Sequence, residues 1–495
     1  MNVRAYVRYV LARASTFALV GLEPRRVEVE AHVQLGSPSF TIVGLADRAC
    51  QEAKQRVRSG ILSAQLEWPG KGARIIVNLA PAELKKEGSG FDLTIALAVL
   101  AASGQVSRTQ LEDHASCGEL ALDGRLRRVG GVLAVAEGAR RAGLESLVCP
   151  YDSCAEAALA GVQPIGVHHL ADAVAYLRGE LEPPQFIVSN GHARHRPLDL
   201  AHVRGQERAR RALELAAAGR HNLLLGGPPG IGKTMLARRL PGILPPLEEE
   251  HALEVTRIHS VAGLLDPDHP LVGYPPFRAP HHSASTAAIV GGGPRLRPGE
   301  ASLAHRGVLL LDELAEFQRP ALEALRQPLE DGEIIVARAV GSVRFPAQFQ
   351  LVGTMNLCPC GARGDAGAEC TCSAQRLAHY RDKLSRALLD RFDLVVAVPR
   401  PRASELQEAQ AEGSDAVRRR VLRARMRLEG GRPRRTNAAD ELLTRAVERL
   451  PLSGRGRAKV ASVACTIAAL AESDSVLPQH VAEALAYRAP PDLAA

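Results

Sequence analysis

A chain of 495 residues predicts about two to four domains, and 46% hydrophobic with 23% charged residues is typical of folded globular proteins rather than disordered ones. The longest uncharged apolar segment, roughly Leu93 to Val106, is shorter than the ~20 residues that a bilayer requires, and the first residues lack a clear signal-peptide core, so we expect a cytoplasmic protein without a membrane partner. The net charge of +8 favours polyanionic partners, whereas an aromatic content of 3% argues against a stacking platform for single-stranded nucleic acid.

Residues 1–178 alternate β-rich segments, such as Val27–Glu30, with helical patterns, such as Phe91–Ala102, and predict an independent α/β domain. Residues 179–197 carry glycine, proline and asparagine in a polar setting, which predicts a linker. A second α/β domain is expected over residues 198–400. Helical patterns then predict an α-helical domain over residues 401–495, beginning with a helix from Ser404 to Arg427.

A glycine-rich octapeptide follows the apolar segment Leu223–Leu225 and precedes a helical pattern. In such a loop the backbone N–H groups surround a phosphate, Lys233 can reach the β- and γ-phosphates, and Thr234 can bind Mg²⁺. The sequence therefore predicts a P-loop that takes ATP with Mg²⁺. The residues expected to contact the nucleotide are Gly227, Pro228, Pro229, Gly230, Ile231, Gly232, Lys233 and Thr234.

A second apolar segment, Gly307–Leu311, ends in two carboxylates and predicts a buried parallel strand. Asp312 is expected to bind Mg²⁺, directly or through water. Glu313 is placed to orient and deprotonate the attacking water, which is the proton-handling task that phosphoryl transfer leaves to the protein. Together with the P-loop, this pair predicts hydrolysis of ATP rather than binding alone.

Four of the nine cysteines lie close together, at Cys358, Cys360, Cys370 and Cys372. Tetrahedral Zn²⁺ suits four thiolates, and one ion can order a short loop that has little core of its own. The C-x-C spacing is less common than C-x-x-C, so reduced thiols or a redox pair remain alternatives to a structural zinc site.

Arginines are concentrated in the predicted C-terminal helical domain. Two interpretations remain open, because such a cluster can contact a nucleic-acid backbone or can be a solvated helix face. The cluster comprises Arg418, Arg419, Arg420, Arg423, Arg425, Arg427, Arg432, Arg434 and Arg435.

Further segments are typical of one protein family. They are Phe277–Ser283, Gly291–Pro294, Pro298–His305, Gly353–Gly361, Thr41–Leu45 and Asn78–Gly88. With these segments the chain resembles, over essentially its whole length, the ComM/YifB family of magnesium-chelatase-like AAA+ ATPases. The resemblance implies a P-loop AAA+ α/β core with a helix-2 insert, an inactive N-terminal Lon-protease-like domain of the ribosomal S5 domain 2-like α/β type, and a C-terminal helical lid.

The same resemblance implies a function. It is that of a hexameric, ATP-driven DNA translocase or helicase, which promotes branch migration of recombination intermediates during natural transformation and has recombination proteins as further partners. Three residues match family positions for nucleotide chemistry: Asn356 matches sensor 1, Arg391 matches an arginine finger that acts across subunits, and Arg455 fits sensor 2. Arg457 and Lys459 are close enough to leave the sensor 2 assignment open.

In the hexameric ring that the resemblance implies, two elements are expected to face DNA in the central pore. The first is the helix-2 insert, and the second is the predicted hairpin Glu333–Arg338 with Ser342–Phe345. The candidate DNA contacts are Arg278, His281, His282, Arg338 and Arg344. Adjacent residues on a strand face opposite sides, so we expect the two histidines not to bind a metal together.

Three other functions compare differently with the sequence. A Ser-Lys protease is disfavoured because Gly90 aligns with the nucleophile, Ser89 is one position away, and residues 132–138 lack a lysine. A chelatase-type motor that remodels a partner protein for metal insertion remains an alternative, although the family's chelatase subunits resemble only the ATPase part of the chain. A DNA-binding scaffold that uses ATP to switch its assembly is the third.

Overall fold

The computed structural model describes residues 10–70, 72–182, 197–293, 296–338, 341–365, 367–402, 404–405, 411–450 and 453–488. The chain forms two compact units. The first comprises Met1–Arg194, Ala252–Val272 and Pro294–Arg297, and the second comprises His195–His251, Gly273–Gly293 and Pro298–Ala495. The segment Ala252–Val272 therefore groups with the N-terminal residues, although it lies within residues 198–400 of the sequence. The domain boundaries given above stay predictions.

The strands in chain order are β1 (Val10–Val20), β2 (Glu23–Leu35), β3 (Ser39–Val43), β4 (Ala73–Ala80), β5 (His114–Ser116), β6 (Glu119–Leu120), β7 (Leu126–Arg127), β8 (Ser146–Pro150), β9 (Gln163–Val167), β10 (Leu223–Gly226), β11 (Phe277–Arg278), β12 (Gly291–Gly292), β13 (Arg297–Pro298), β14 (Val308–Leu311), β15 (Glu333–Arg338), β16 (Gly341–Pro346), β17 (Gln350–Met355), β18 (Leu394–Ala397), β19 (Arg434–Arg435) and β20 (Ser475–Val476).

The α-helices are α1 (Arg48–Ser63), α2 (Asp92–Ala102), α3 (Arg108–Glu112), α4 (Val132–Arg141), α5 (Cys154–Ala158), α6 (Leu170–Leu177), α7 (Glu207–Gly219), α8 (Lys233–Ala237), α9 (Leu240–Ile243), α10 (Glu249–Ala262), α11 (Thr286–Val290), α12 (Glu300–Leu303), α13 (Arg319–Ala324), α14 (Arg326–Asp331), α15 (Ala374–Asp382), α16 (Arg386–Leu389), α17 (Ser414–Gly430), α18 (Asn437–Arg449), α19 (Gly454–Leu470) and α20 (Pro478–Ala486). Single 3₁₀ turns occur at Tyr151–Ser153, Leu200–His202 and Leu314–Glu316.

The first unit is built on a seven-stranded sheet with the order β3-β4-β2-β1-β5-β8-β9. β1, β2 and β4 pair antiparallel, whereas β5, β8 and β9 extend the sheet in parallel. Every residue of α2 is buried, including Asp92, which accepts a hydrogen bond from Arg56 at 2.6 Å. Burial raises the pKa of Asp92, which reaches about 6 although the hydrogen bond and charge of Arg56 lower it, so this ion pair helps to keep the buried carboxylate charged.

All of α10 from Ala252 onward belongs to the first unit and is bound there by polar contacts. Arg257 donates to Glu137 at 2.5 Å, and the hydroxyl of Ser260 donates to the buried Glu156 at 2.5 Å. The backbone N–H of Gly131 donates to the carbonyl of Ser260 at 2.9 Å. Side-chain and backbone contacts thus fix this helix on the N-terminal residues.

The second unit contains a five-stranded sheet with the order β11-β14-β17-β10-β18, and its strands pair in parallel. All residues of β10 and β14 are buried, which confirms the strands predicted from the two apolar segments. β17 comes late in the chain but lies between β10 and β14. The carboxyl ends of these three strands therefore meet at one edge, where parallel α/β sheets usually bind ligands. This mixed α/β architecture fits the expected P-loop AAA+ core, while the Lon-like fold and the helix-2 insert stay predictions.

The C-terminal residues form helices, as predicted. Residues 404–405 are helical, residues 406–410 lie outside the described part, and α17 begins at Ser414 rather than continuing from Ser404 without interruption. Buried residues of α17 and α19 share one hydrophobic core with α7 and the central sheet. The predicted hairpin is also present, as the antiparallel pair β15 and β16. Among the described residues, no helix combines the length and the apolar character that crossing a membrane requires.

Candidate nucleotide site and metal centre

The P-loop follows β10 at the carboxyl edge of the sheet. Gly230 and Gly232 have φ angles of 76° and 93°, a region that favours glycine. A Cβ atom on Gly227 would lie 2.3 Å from the carbonyl oxygen of Val398, so only glycine fits there. These constraints explain why the loop between strand and helix is rich in glycine.

Lys233 lies inside the P-loop and is 8% exposed. Its ammonium donates to the carbonyl oxygens of Gly227 and Pro228 at 2.8 and 2.6 Å, and to Oδ1 of Asn356 at 3.1 Å. Burial lowers the pKa of Lys233, and the charges of Asp312 and Glu313 oppose that effect. The structure thus brings the predicted P-loop lysine and the predicted sensor 1 amide together.

Thr234 and Asp312 are in direct contact. The Thr234 hydroxyl lies 2.8 and 3.0 Å from the two carboxylate oxygens of Asp312. A hydroxyl and a carboxylate at this spacing are the oxygen ligands that Mg²⁺ prefers, so the two residues predicted to bind Mg²⁺ fit that role.

Thr354 is a site residue that sequence reasoning missed. Its hydroxyl donates to Asp312 Oδ1 at 2.5 Å and accepts the backbone N–H of Glu313 at 3.0 Å. Thr354 lies on β17, whose position between β10 and β14 is not visible in any local pattern. The available signal was a hydroxyl residue near the end of a buried strand, two positions before Asn356.

Glu313 directly follows Asp312 and adopts a left-handed conformation with φ 56° and ψ 52°. Its side chain is 61% exposed, so the carboxylate faces outward rather than into the sheet. Nδ1 of His282 lies 3.9 Å from Glu313 Oε2. The predicted catalytic base therefore has a histidine as its neighbour at the mouth of the site.

The two histidines lie in a turn after β11, not on a strand, because β11 ends at Arg278. The expectation that His281 and His282 face opposite sides is therefore wrong: their ring centroids are 4.1 Å apart. Arg278 forms two hydrogen bonds with Glu300, at 2.6 and 2.8 Å, and this carboxylate raises the pKa of Arg278. Arg278 ends an outer strand of the five-stranded sheet, and the two histidines follow that strand; the role of all three residues as DNA contacts stays a prediction.

The hairpin carries the other two candidate DNA contacts. Arg344 is on β16 and has an exposed side chain, with Nη1 3.4 Å from Glu333 Oε1. Arg338 is the last residue of β15, and its side chain lies outside the described part. A role in DNA binding stays a prediction for both.

Arg391 and Arg455 meet at one carboxylate. Arg391 forms a salt bridge with Glu330 of α14, and Arg455 Nη2 lies 3.3 Å from the same oxygen, Glu330 Oε1. Arg391 is largely buried, whereas Arg455 is 63% exposed. Burial, followed by the positive charges of Arg455 and Arg326, lowers the pKa of Arg391. The predicted arginine finger and the first choice for sensor 2 are therefore neighbours.

The two alternatives for sensor 2, Lys459 and Arg457, have surroundings that differ from those of Arg455. Lys459 forms a salt bridge with Asp393 at 3.0 Å. Arg457 lines an open cleft of about 650 Å³ between β19, α18 and α19, together with Arg432, Arg434 and Arg435. Only Arg455 of the three shares a partner with Arg391.

The arginines of the C-terminal cluster fall into two groups. Those of α17 are largely bound within the chain: Arg418 to Asp415, Arg420 to Glu412 and Glu214, Arg423 to Glu472, Arg425 to the carbonyl of Ala217, and Arg427 to Asp474. In the cleft, Arg435 pairs with Asp440 at 2.5 Å. Within the described ranges, Arg432, Arg434 and Arg457 have no acidic side chain at salt-bridge distance.

The four cysteines of the predicted zinc loop come together. The sulfur atoms of Cys358, Cys360, Cys370 and Cys372 all lie within 4.8 Å of one another. Tetrahedral Zn²⁺ with Zn–S bonds of ~2.3 Å places its ligands about 3.8 Å apart. The Cys360–Cys370 separation of 3.7 Å is close to that value, and the Cys358–Cys360 separation of 3.3 Å is shorter. A hydrogen bond from the Ala362 N–H lowers the pKa of Cys360 to about 6, which favours the metal-binding thiolate. The donor set therefore fits Zn²⁺.

Three family models match consecutive parts of this chain. Residues 199–406 match the model described as magnesium chelatase, subunit ChlI; residues 29–153 match subunit ChlI of Mg-chelatase; and residues 411–488 match the C-terminal part of magnesium chelatase subunit ChlI. The Magnesium-chelatase 38 kDa subunit of Cereibacter sphaeroides is 26% identical, over 42% of this chain and 61% of its own length.

Other relatives match almost the full chain. An uncharacterized protein of Mycobacterium tuberculosis is 45% identical over 97% of this chain and 98% of its own length. The competence protein ComM of Haemophilus influenzae is 41% identical, and the uncharacterized protein YifB of Escherichia coli is 40% identical, each over 97% of both chains. Identity at this level and coverage shows that the chain belongs to the ComM/YifB family of magnesium-chelatase-like AAA+ proteins.

Proposed function

We propose that this protein is an ATPase that hydrolyses ATP with Mg²⁺ at the carboxyl edge of its five-stranded sheet. The observation that carries the proposal is the hydrogen bond between Thr234 and Asp312, at 2.8 Å, because it joins the P-loop to the acidic strand end. The contact between Lys233 and Asn356 supports the proposal as well, because it joins the P-loop to the residue that follows β17.

Each residue has a distinct task in this mechanism. The P-loop N–H groups and Lys233 bind the phosphates, and Thr234 and Asp312 hold Mg²⁺, which when bound neutralises charge on the β- and γ-phosphates. Glu313 takes a proton from the attacking water, and Asn356 orients that water or the γ-phosphate through its amide. Thr354 holds Asp312 and the backbone of Glu313 in place.

In the proposed homo-hexamer, the neighbouring subunit supplies a further positive charge to the nucleotide. Arg391 is assigned to the arginine finger, which acts on the nucleotide of a neighbouring subunit in a homo-hexamer and stabilises the transition state there. Arg455 contacts the same carboxylate as Arg391, which supports the proposal that both guanidinium groups act on the same neighbouring nucleotide. Glu330 would hold this pair when no phosphate is within reach.

We further propose DNA as the substrate that the motor moves, with branch migration of recombination intermediates in natural transformation as the process. Support comes from the full-length relative named competence protein ComM and from the net charge of +8. It also comes from the cleft lined by Arg432, Arg434 and Arg457, since unpaired arginines in a concave surface suit phosphate groups.

A chelatase-type motor is the second candidate, because all three family models carry the name of a chelatase subunit, including the one that matches residues 29–153. That N-terminal match removes the argument that chelatase subunits resemble only the ATPase part. Against this candidate, the chelatase subunit compared above covers 42% of this chain, whereas ComM covers 97%.

One experiment separates these functions. ATP hydrolysis and dissociation of a four-way DNA junction are measured together for the wild type and Glu313→Gln, over a salt series and with linear duplex as control. Junction dissociation that requires Glu313 supports a branch-migrating motor. Hydrolysis that is insensitive to DNA, with intact junctions, favours remodelling of a partner protein. Salt-dependent DNA binding without movement favours the scaffold, and hydrolysis retained by Glu313→Gln contradicts the assignment of the base.

A structural Zn²⁺ ion, held by the four cysteine thiolates, completes the proposal. One ion per chain is expected from elemental analysis of the purified protein, because the four sulfur atoms lie within 4.8 Å of one another and can reach one ion together.

A further inference from the structure

The four-cysteine loop, residues 357–373, begins where the nucleotide site ends. Asn356, which contacts the ammonium of Lys233, is the last residue before the loop, and Cys358 follows two positions later. The backbone carbonyl of Asn356 also accepts a hydrogen bond from Tyr380 of α15 at 3.2 Å. A displacement of the cysteine cluster would therefore pass to Asn356 through a single intervening residue.

The loop also packs directly on the P-loop. Gly361 has a φ angle of 81°, and a Cβ atom there would lie 2.9 Å from Cδ of Pro229. Gly364 has a φ angle of 83°, and a Cβ atom there would lie 4.0 Å from Cδ of Pro228. The turn at Gly361 thus packs against Pro229 of the P-loop, with no space for a methyl group, and the turn at Gly364 lies beside Pro228.

A third contact connects the loop with the other side of the P-loop. Arg400 donates to the buried carboxylate of Asp365 at 2.6 Å. Arg400 follows β18, and Val398 of the same segment packs against Gly227, as described above. The P-loop is therefore bordered by the cysteine loop and by the end of β18, and Arg400 links these two segments.

The loop has few other means of holding this shape. None of its described residues belongs to a helix or strand, and its buried apolar side chains there are Leu357 and Cys358. Long segments without secondary structure need another source of order, and one metal ion bound by four side chains supplies it. The N–H of Arg363 points at Cys358 Sγ, at 3.3 Å, as outer-shell donors do at thiolate-bound metals.

We propose that the four-cysteine loop is a metal-dependent brace of the P-loop. Zn²⁺ bound by Cys358, Cys360, Cys370 and Cys372 fixes the turns at Gly361 and Gly364, and these turns hold Pro228 and Pro229 in the conformation that binds nucleotide. The inference rests on the proposed ATPase function and extends it: nucleotide affinity depends on a second metal that takes no part in phosphoryl transfer.

The test uses the full-length protein with Mg²⁺ in excess, and measures bound zinc by elemental analysis and affinity for a fluorescent ATP analogue. In the first variant, Cys370→Ser with Cys372→Ser, two partly exposed thiols are removed without opening the core. We expect loss of zinc and at least a tenfold weaker affinity, with an unchanged helical circular dichroism signal. Cys465→Ser is the matched control, because Cys465 lies on α19 outside the loop, and it should change neither quantity.

A second variant separates the brace from the metal itself. Gly361→Ala keeps all four thiols and should keep zinc, but its methyl group would press on Pro229, so affinity for the ATP analogue should fall severalfold. If the cysteine variant loses zinc but keeps its affinity for the ATP analogue, the metal site is correct and the brace is wrong. If the purified wild type contains no zinc and still binds the analogue, the metal site and the brace are both wrong, but the proposed ATPase function stands. If the wild type contains zinc and does not bind the analogue, the proposed function is refuted together with the brace.

Discussion

The guanidinium groups of Arg391 and Arg455 contact the same carboxylate oxygen, Oε1 of Glu330, although 64 residues separate them in the chain (455 − 391). Two like charges gain from proximity only when an anion lies between them, and here Glu330 is that anion. In the proposed ring, the γ-phosphate of a nucleotide bound to the neighbouring subunit would replace this carboxylate by a more highly charged oxyanion. Because the two arginines share one carboxylate, we expect both to act across the interface of that ring.

Mixed rings test this arrangement. Arg391→Ala and Glu313→Gln should each lack ATPase activity, but a mixture should regain it, because some interfaces then combine an intact Glu313 with an intact Arg391. For random mixing in equal amounts, roughly a quarter of the interfaces would be complete. Arg455→Ala mixed with Glu313→Gln should behave in the same way. Activity is measured as phosphate release after co-assembly.

The control for these mixtures combines Lys233→Ala with Glu313→Gln. Both changes lie on the same nucleotide-binding face, so no interface in the mixture is complete and activity should stay absent. If the Arg455→Ala mixture stays inactive while the Arg391→Ala mixture recovers, then Arg455 acts within its own subunit. If Arg457→Ala rather than Arg455→Ala abolishes hydrolysis, the sensor 2 assignment is wrong.

Thr354 should matter for turnover more than for ATP binding. Thr354→Val keeps the shape of the side chain but removes the hydroxyl that donates to Asp312 and accepts from the Glu313 N–H. By analogy with other outer-shell partners of metal ligands, we expect kcat to fall by about 10- to 100-fold and the Mg²⁺ concentration for half-maximal activity to rise. Thr354→Ser restores the hydroxyl and should recover most of the activity. Normal Mg²⁺ dependence in Thr354→Val would contradict the positioning role.

The parts of the site that the sequence predicted are those encoded within one short segment. The P-loop lies between a buried strand and a helix, and Asp312 with Glu313 ends a continuous apolar segment; both signals are local. Thr354 and Glu330 were missed because their importance depends on which strands are neighbours and on where α14 packs. The placement of β17 between β10 and β14 comes from long-range packing, which the 2-residue and 3.6-residue periodicities do not report.

The pair His281 and His282 shows a second limit of prediction from a single sequence, which is the position of strand ends. Treating Phe277–Ser283 as a strand led to the expectation that His281 and His282 diverge, but the strand ends at Arg278 and the following turn stacks the two rings. Strand ends are set by pairing with a neighbour, here β14, and a single sequence does not reveal where that pairing ends. The turn brings His282 to Glu313, a contact that no spacing rule predicts.

Stability should depend on pH through His221, which joins the core of the five-stranded sheet to helix α19. Its ring is fully buried and contacts the Thr466 hydroxyl of α19 at 2.8 Å, and burial lowers its pKa from 6.5 to about 4. The nearby charges of Asp393, Lys459 and Arg432 have smaller effects. Because the unfolded chain binds a proton near pH 6.5 and the folded chain only near pH 4, stability is lost as the pH falls through this window.

The expected loss between pH 7 and pH 5 is about 2 kcal/mol, from 1.36 kcal/mol per pKa unit. The measurement is chemical denaturation of the wild type and His221→Gln at both pH values. The variant will be less stable at pH 7 but should lose less of its stability on acidification, because glutamine does not titrate. An equal loss in both proteins would show that other groups dominate the acid response.

The open cleft between β19, α18 and α19, lined by Arg432, Arg434, Arg435 and Arg457, should bind the DNA backbone without sequence preference. Arg432→Gln with Arg434→Gln removes two cleft charges that have no acidic partner among the described residues, and it should weaken DNA binding while leaving ATPase activity without DNA unchanged. The plot of log K against log salt concentration has a negative slope, and each lost phosphate contact reduces its magnitude by about 0.9. Loss of two contacts should therefore make the slope less negative by up to ~2. The matched control, Arg418→Gln with Arg423→Gln, removes two charges that are paired with Asp415 and Glu472, and should change the slope little.

Equal effects of both double variants would mean that the net charge of the chain, rather than the cleft, attracts DNA. A slope unchanged by the cleft variant would place the DNA contacts elsewhere, and the hairpin residue Arg344 would then be the next position to change.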